Sequence, residues 1–294
     1  MRILLTGASG FTGLHFGQLA KQHGHEVVDC PVDLTDASAV KRAIECTGPC
    51  DALVHLAAIS FVGHADESAF YGVNTVGTTN LLKAFDALPA SARPRKLLLA
   101  SSANVYGNCL QSPISENQPT APVNHYAASK LAMEQMAQAY AERLPIVITR
   151  PFNYTGPGQA TSFLVPKLVD HFARRAPVIE LGNLHVEREF NDVRMVCEAY
   201  LRLLDHGESG QIYNVCTGTV FSLQQVLDTL KHLTGHDIAV RVNPAFVRAS
   251  EVHRLCGAPD KLIGCIGPLP VYPLTECLSA MIQAHATQAR PAPL

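Results

Sequence analysis

Thr6-Gly7-Ala8-Ser9-Gly10-Phe11-Thr12-Gly13 decides the fold. It follows an apolar run, Arg2–Thr6, that reads as a strand, and it opens a helical pattern over Thr12–Gln22. The glycines are spaced G-x-x-G-x-x-G. That spacing permits a tight turn and lets backbone N–H groups approach a pyrophosphate at the positive end of the helix. At the first strand–helix junction of an alternating chain it predicts a dinucleotide site, with Gly7, Gly10, Phe11, Thr12 and Gly13 against the cofactor.

The alternation continues downstream. Glu26–Asp29, Ala52–Ala57, Lys96–Ala100 and Ile146–Arg150 read as strands. Ala37–Cys46 and Phe70–Leu88 read as helices, and a further helix carries Tyr126 and Lys130. Strands spaced by helices form right-handed βαβ units, so the fold class is α/β, a Rossmann doubly wound parallel sheet. Past Pro151 the pattern is looser, with helices over Phe163–Arg174, Asp192–Leu204 and Leu223–Thr234 and strands over Gln211–Val215 and Ala239–Val242. The expected division is a dinucleotide-binding domain over residues 1–160, to which 187–217 return. Residues 161–186 and 218–294 then make a smaller C-terminal α/β substrate-binding lobe. The cleft is expected above the carboxyl ends of the strands, and the tail Arg290–Leu294 is expected to be loose.

Composition narrows the function classes. Of 294 residues, 47% are hydrophobic and 16% charged, which indicates a compact soluble globule. The formal charge of −2 and the absence of a basic run give no electrostatic case for nucleic acid or a membrane surface. No apolar run is long enough to span a bilayer, and Met1-Arg2-Ile3 enters a strand directly, leaving no room for a signal peptide. Nine irregularly spaced cysteines suit reduced thiols and a cytoplasmic location. Cys46 and Cys50 flank a turn, but no matching pair follows, so no metal is expected.

Two segments carry chemistry. In Tyr126-Ala127-Ala128-Ser129-Lys130 the spacing places phenol and ammonium on one helix face. A free phenol titrates near pH ~10, and a neighbouring cation favours the phenolate. In Ser101-Ser102-Ala103-Asn104-Val105-Tyr106-Gly107, at a strand end, the Ser102 hydroxyl can bond both a substrate carbonyl and the Tyr126 phenol. Asp29 ends the second strand, where an acid can hold ribose hydroxyls. With no Lys or Arg from Glu26 through Val40 to clamp a 2′-phosphate, the cofactor leans to NADH within NAD(P)H. Cys30-Pro31 shortens that connection, so Asp33 and Leu34 are alternative adenine contacts. Leu56, Ala57 and Ala58 let the chain pass beneath the cofactor, unless they are ordinary core packing, with His55 a satisfied core histidine. Asn74 serves the cofactor site or braces the active-site backbone.

In this order the motifs resemble extended short-chain dehydrogenases/reductases of the nucleotide-sugar epimerase, dehydratase and reductase group. TGASGFTG, HLAA, Asn74-x-x-Gly77-Thr78, SSANVYG, YAASK and Arg150-Pro151-Phe152-Asn153 arrive in that group's order and spacing, and the likeness covers nearly the whole chain. The resemblance implies a catalytic Ser102, Tyr126 and Lys130, with Tyr126, Lys130 and Pro151 also against the cofactor. Later segments are most similar to bacterial GDP-4-keto-6-deoxy-mannose reductases: Phe152–Gln159, Gly182-Asn183-Leu184, Arg188–Val193, Tyr213–Gly218 and Arg248–Val252. By that likeness the partner is a nucleotide-diphosphate sugar, GDP favoured. Ser102, Asn104, Asn153, Asn183, Arg188, Arg248 and Glu251 would bind it, Arg188 and Arg248 gripping the diphosphate. A homodimer packed through the Asn74 and Tyr126 helices is implied as well.

Departures refine the reaction. Tyr154 stands where these reductases resemble one another in a His, Ala249 replaces a proline, and the chain has no Trp. Sugar dehydratases of the group resemble one another in an Asp-Glu pair after the serine, and epimerase-reductases in a Cys at the position of Asn104. This chain has Ala103-Asn104. What remains is simple hydride transfer: reduction of the C4 ketone of a 4-keto-6-deoxy nucleotide sugar, GDP-4-keto-6-deoxy-D-mannose to GDP-D-rhamnose. A 4-epimerase with tightly bound NAD is the first rival. A non-catalytic dinucleotide sensor is the second, disfavoured because a sensor has no need of Ser102, Tyr126 and Lys130 together.

Overall fold

The structure, a computed structural model, describes residues 1–246 and 253–288. Strands β1 (Arg2–Thr6), β2 (Glu26–Asp29), β3 (Ala52–His55), β4 (Lys96–Ala100) and β5 (Ile146–Pro151) alternate with helices. These are α1 (Phe11–Gln22), α2 (Ala37–Thr47), α3 (Glu67–Phe70), α4 (Thr78–Asp86) and α5 (His125–Gln138). Next come β6 (Tyr154–Thr155), α6 (Leu164–Ala173), β7 (Val178–Leu181), β8 (Glu187–Arg188), β9 (Asn191–Asp192), α7 (Val193–His206) and β10 (Ile212–Val215). The last elements are β11 (Phe221–Ser222), α8 (Leu223–Thr234), β12 (Ala239–Val242), β13 (Arg254–Leu255), α9 (Asp260–Ile266) and α10 (Leu274–Gln288).

The main sheet runs β10-β5-β4-β3-β1-β2, with every pairing parallel. Helices cover both faces, so its strands are continuous apolar runs. Strand alternation sends Ile3, Leu5, Val54 and Leu98 towards α1 and α7, and Leu4, Leu53, Leu97 and Leu99 towards α2, α4 and α5. Each such buried aliphatic side chain contributes about 1.5–3 kcal/mol. After β1 the chain first builds β2 on one side and then β3 on the other. The carboxyl ends of β1 and β3 therefore border the crevice where the strand order reverses. The sequence reading of a Rossmann doubly wound α/β fold holds.

A second core lies under the later elements. Strands β7 and β12 pair in parallel, and α6, α8 and α10 bury Leu168, Phe172, Val226, Leu230 and Leu278. Strand β10 pairs with β5, Asn214 opposite Arg150, so this stretch belongs to the main sheet.

Several boundaries differ from the sequence reading. The helix expected from Phe70 starts at Glu67, because Asp66 Oδ1 accepts from the Ser68 and Ala69 N–H groups (2.9 and 3.3 Å). It also contains a π-helical stretch, Tyr71–Gly77. The strand expected through Ala57 ends at His55, where the chain turns beneath the glycine loop. Helices α9 and α10 were not anticipated: α9 is short, and three prolines (268, 270 and 273) precede α10. The tail Arg290–Leu294 lies outside the described residues. No described helix is long and apolar enough to cross a membrane.

Candidate active site

The glycine loop works through sterics. Gly7 has φ +73°, and a Cβ there would lie 2.6 Å from Ala57 N. A Cβ on Gly13 would lie 2.0 Å from the Gly7 carbonyl oxygen. Hydrogen is the only side chain these positions admit, so β1, β3 and α1 meet at backbone distance and leave the first turn of α1 open. Gly10, Phe11, Thr12 and Gly13, at this helix start, line a cavity of about 560 Å³ together with Leu56, Ala58 and Pro151. This cradle fits a dinucleotide.

The reactive groups meet on the far wall of that cavity. Asn124 Oδ1 accepts from the Ala127 N–H (2.8 Å) and starts α5 so that Tyr126 and Lys130 fall on its buried face. Ser102 leaves β4 in an extended conformation; its Oγ accepts from the Asn104 N–H (3.2 Å), and its hydroxyl is near enough to the Tyr126 phenol to draw that group's pKa down. Lys130 Nζ donates to the Ala100 carbonyl (2.8 Å). Burial pulls its pKa down to about 8, with Glu134 pulling the other way.

Here the sequence expectation needs correction. The ammonium was expected to bring the phenol down, yet burial holds Tyr126 above its usual pKa, and Ser102 supplies the opposing influence. A buried ammonium requires an acceptor, and the strand-end carbonyl provides it.

Asn74 also differs from its expected place against the cofactor. Its side chain is 1% exposed; Oδ1 accepts from the Ile59 N–H (2.9 Å), and Nδ2 donates to the Ile59 carbonyl (3.1 Å) and Ser129 Oγ (3.0 Å). It braces the backbone after β3 against the catalytic helix, the second of the roles read from sequence. His55 is buried between two hydroxyls. The Thr78 hydroxyl donates to the Asn74 carbonyl (2.7 Å), so His55 Nε2 carries the hydrogen and Nδ1 accepts from Thr6. Burial, then the Lys130 ammonium, lowers its pKa to about 3 and keeps it neutral.

At the adenosine end, Asp29 is exposed at the carboxyl end of β2. Asp33 is exposed too, but its Oδ1 accepts from the Thr35 N–H (2.9 Å) and hydroxyl (2.8 Å), so that oxygen stabilises the local turn. The Leu34 side chain is buried in the core, and its carbonyl accepts from Asn80 Nδ2 (2.9 Å).

A second cavity, about 650 Å³, shares Val62, Asn104, Asn153, Leu164 and Phe190 with the first. Asn183 and Arg188 line it. Asn183 Oδ1 accepts from the His185 N–H (2.9 Å), and Arg188 Nη1 donates to the Glu187 (2.8 Å) and His253 (3.2 Å) carbonyls. Arg248 and Glu251 lie outside the described residues. Among those described, no group of His, Cys, Asp or Glu could hold a metal ion.

Three sets of contacts escaped the sequence reading. The Tyr154 hydroxyl bonds Thr12 in the glycine loop, and its ring stacks on Phe11. Glu189, buried, accepts from the Gly257 N–H (2.7 Å), the Thr217 N–H (2.9 Å) and Asn191 Nδ2 (2.9 Å), tying the loops behind the second cavity together. Glu134 pairs with Arg150 beneath the catalytic residues. Two of these residues left a trace: Tyr154 as the departure from a His, and Glu134 because it follows Lys130 at helical spacing.

A profile of the NAD dependent epimerase/dehydratase family matches residues 3–216. The chain is 36% identical to the GDP-6-deoxy-D-talose 4-dehydrogenase of Aggregatibacter actinomycetemcomitans, over 91% of this chain and 92% of that one. It is 33% identical to the GDP-6-deoxy-D-mannose reductase of Pseudomonas aeruginosa, over 98% of each. Among solved structures, RMD from Pseudomonas aeruginosa complexed with NADPH superposes with TM-score 0.90 at 30% identity, covering 98% of this chain and 100% of that one. A Burkholderia cenocepacia J2315 protein, provisionally described as an epimerase, superposes with TM-score 0.90 at 44% identity, covering 97% and 98%.

Proposed function

The chain belongs to the NAD dependent epimerase/dehydratase family, and from that membership we propose a reductase of the C4 ketone of a 4-keto-6-deoxy nucleotide sugar, GDP-4-keto-6-deoxy-D-mannose foremost. It is an NAD(P)-dependent oxidoreductase of nucleotide sugars. Within that class one observation carries the reading. The Ser102 hydroxyl and the Tyr126 phenol line one cavity, and the residues that follow Ser102, Ala103 and Asn104, offer neither acid nor base for loss of water. The names of two relatives support a GDP-6-deoxyhexose.

The chemistry divides among the residues accordingly. Gly7, Gly10, Phe11, Thr12 and Gly13 would hold the dinucleotide, which when bound supplies the hydride. Tyr126 gives its proton to the oxygen developing negative charge at C4. Ser102 bonds the same oxygen and fixes its position against the phenol. Lys130 holds the strand-end backbone and places positive charge behind the tyrosine. Asn104 and Asn153, which line both cavities, would meet the sugar, and Asn183 and Arg188, which line the second, the nucleotide. Asp29, with no base near it in sequence, favours NADH. A homodimer through the helices of Asn74 and Tyr126, and a cytoplasmic location, complete the proposal.

A second reading, a 4-epimerase, has one observation in its favour. Thr12–Tyr154 and His15–Pro157 bonds, each 2.8 Å, strap the chain after β5 onto α1, which suits retention of a dinucleotide. The deciding experiment follows NADH and NADPH absorbance with GDP-4-keto-6-deoxy-D-mannose. Stoichiometric consumption is expected. No consumption, with NAD released on denaturation, would replace the reductase by the epimerase.

A further inference from the structure

Three residues of α5 spaced four apart, Tyr126, Lys130 and Glu134, face three consecutive residues at the end of β4. Tyr126 lies near Ser102, Lys130 donates to the Ala100 carbonyl, and Glu134 accepts from the Ser101 hydroxyl. The first two serve the proposed reaction directly; the third has no assigned part in it. We propose that Glu134 is a positioning residue of the active site: it fixes the Ser101–Ser102 strand end and supplies the counter-charge that keeps Lys130 protonated during reduction. The proposal rests on the reductase reading above.

The geometry is that of a built site rather than a surface pair. The Glu134 side chain is 2% exposed and its Arg150 partner 5%. Glu134 accepts from Arg150 Nε (3.0 Å) and Nη2 (2.6 Å). Arg150 Nη1 donates to Tyr106 Oη (3.0 Å), which donates to Asn214 Oδ1 (2.7 Å) on β10. The bonds thus run from the catalytic helix through β5 to the far edge of the sheet. A fully satisfied network of this kind fixes a single geometry.

Charge supplies the second strand of the argument. Lys130 is set among Tyr126 and Glu134 on its own helix, neutral His55 on β3, Ser101 and Ser102 after β4, and Arg150 on β5. Glu134 is the carboxylate that acts on it. Removing that negative charge makes the ammonium easier to deprotonate, so the alkaline limb of the activity must move to lower pH.

The test uses Glu134→Gln, which keeps shape and removes charge. It is expected to lower kcat at least about tenfold with little change in sugar KM, and to move the alkaline limb of kcat/KM down by about one pH unit. Because Gln leaves Arg150 uncompensated, Glu134→Gln with Arg150→Gln is measured as well. This double variant must show a displacement in the same direction, smaller because the Arg150 charge is gone too; a wild-type pH profile and kcat there would reduce Glu134 to a structural partner of Arg150 and overturn the proposal. Should both chains fail to fold, Glu134→Asp decides. Its retained charge must leave the limb in place while kcat falls, and an unchanged kcat counts against positioning. NADH affinity against pH, read by fluorescence without sugar, must show a limb displaced in the same direction in the Gln variants. A wrong sugar therefore fails separately from a wrong role for Glu134.

Discussion

Tyr154 Oη and Thr12 Oγ1 lie 2.8 Å apart, joining the chain after β5 to the first turn of α1. Burial holds the Tyr154 phenol well above its usual pKa, so it stays neutral. In either orientation of the bond, one hydroxyl hydrogen remains for another acceptor. Tyr154→Phe removes the link but preserves the stack on Phe11. The expected result is a roughly 2- to 10-fold weaker dinucleotide affinity, the worth of one hydrogen bond, with kcat near wild type. Titration of NADH fluorescence measures it, and unchanged affinity would separate Tyr154 from the cofactor.

Tyr126→Phe should cost about 10²–10⁴ in kcat while dinucleotide binding persists, because proton donation is lost and the fold loses one hydroxyl. Ser102→Ala should cost less, since Tyr126 remains to donate. It also removes the cap on the Asn104 N–H, so circular dichroism must show that the fold is kept. Reduction at wild-type rate by Tyr126→Phe would refute the mechanism.

Most of the architecture was legible because it rests on local patterns. Apolar strand runs, helical periodicity and the G-x-x-G-x-x-G turn each follow from the physics of one short segment. The catalytic helix was legible for the same reason: Tyr126 and Lys130 need only one turn of α-helix to share a face. What escaped depends on distant pairings. Tyr154 meets Thr12 across the cleft, Glu189 meets Thr217 and Gly257, and Glu134 meets Arg150 on a neighbouring strand. The direction of the Tyr126 shift was misjudged because spacing reports which groups are near, and burial outweighed nearness.

Gly13→Ala should abolish dinucleotide binding and destabilise the chain by about 1–3 kcal/mol, because the added Cβ meets backbone at 2.0 Å, with no flexible side chain to give way. The control is Gly264→Ala in α9, where a Cβ meets nothing within 4 Å. That change should stabilise by about 0.5–1 kcal/mol through helix propensity and leave binding alone. Urea unfolding with NADH titration reads both, and Gly13→Ala binding like wild type would reopen the assignment of the loop.

Lys130→Met is expected to inactivate the enzyme and, at pH 7, to stabilise it. The ammonium is 5% exposed, and burial lowers its pKa from 10.5 to about 8, so the folded state holds this proton less tightly than the unfolded chain. Below pH 8 the group is charged in both states, and the full cost of burying it, about 3 kcal/mol, weighs against folding. Between about 8 and 10.5 the folded protein is neutral there while the unfolded chain stays charged, so the cost fades as pH rises, and above 10.5 it is gone. Losing the bond to Ala100 offsets part of the gain, leaving Lys130→Met about 1–3 kcal/mol more stable at neutral pH. Urea unfolding of both proteins from pH 7 to 10 should show that difference shrinking. A variant less stable than wild type at pH 7 would mean that Lys130 is kept for the fold, and the view of it as a charge held in the core for the reaction would fail.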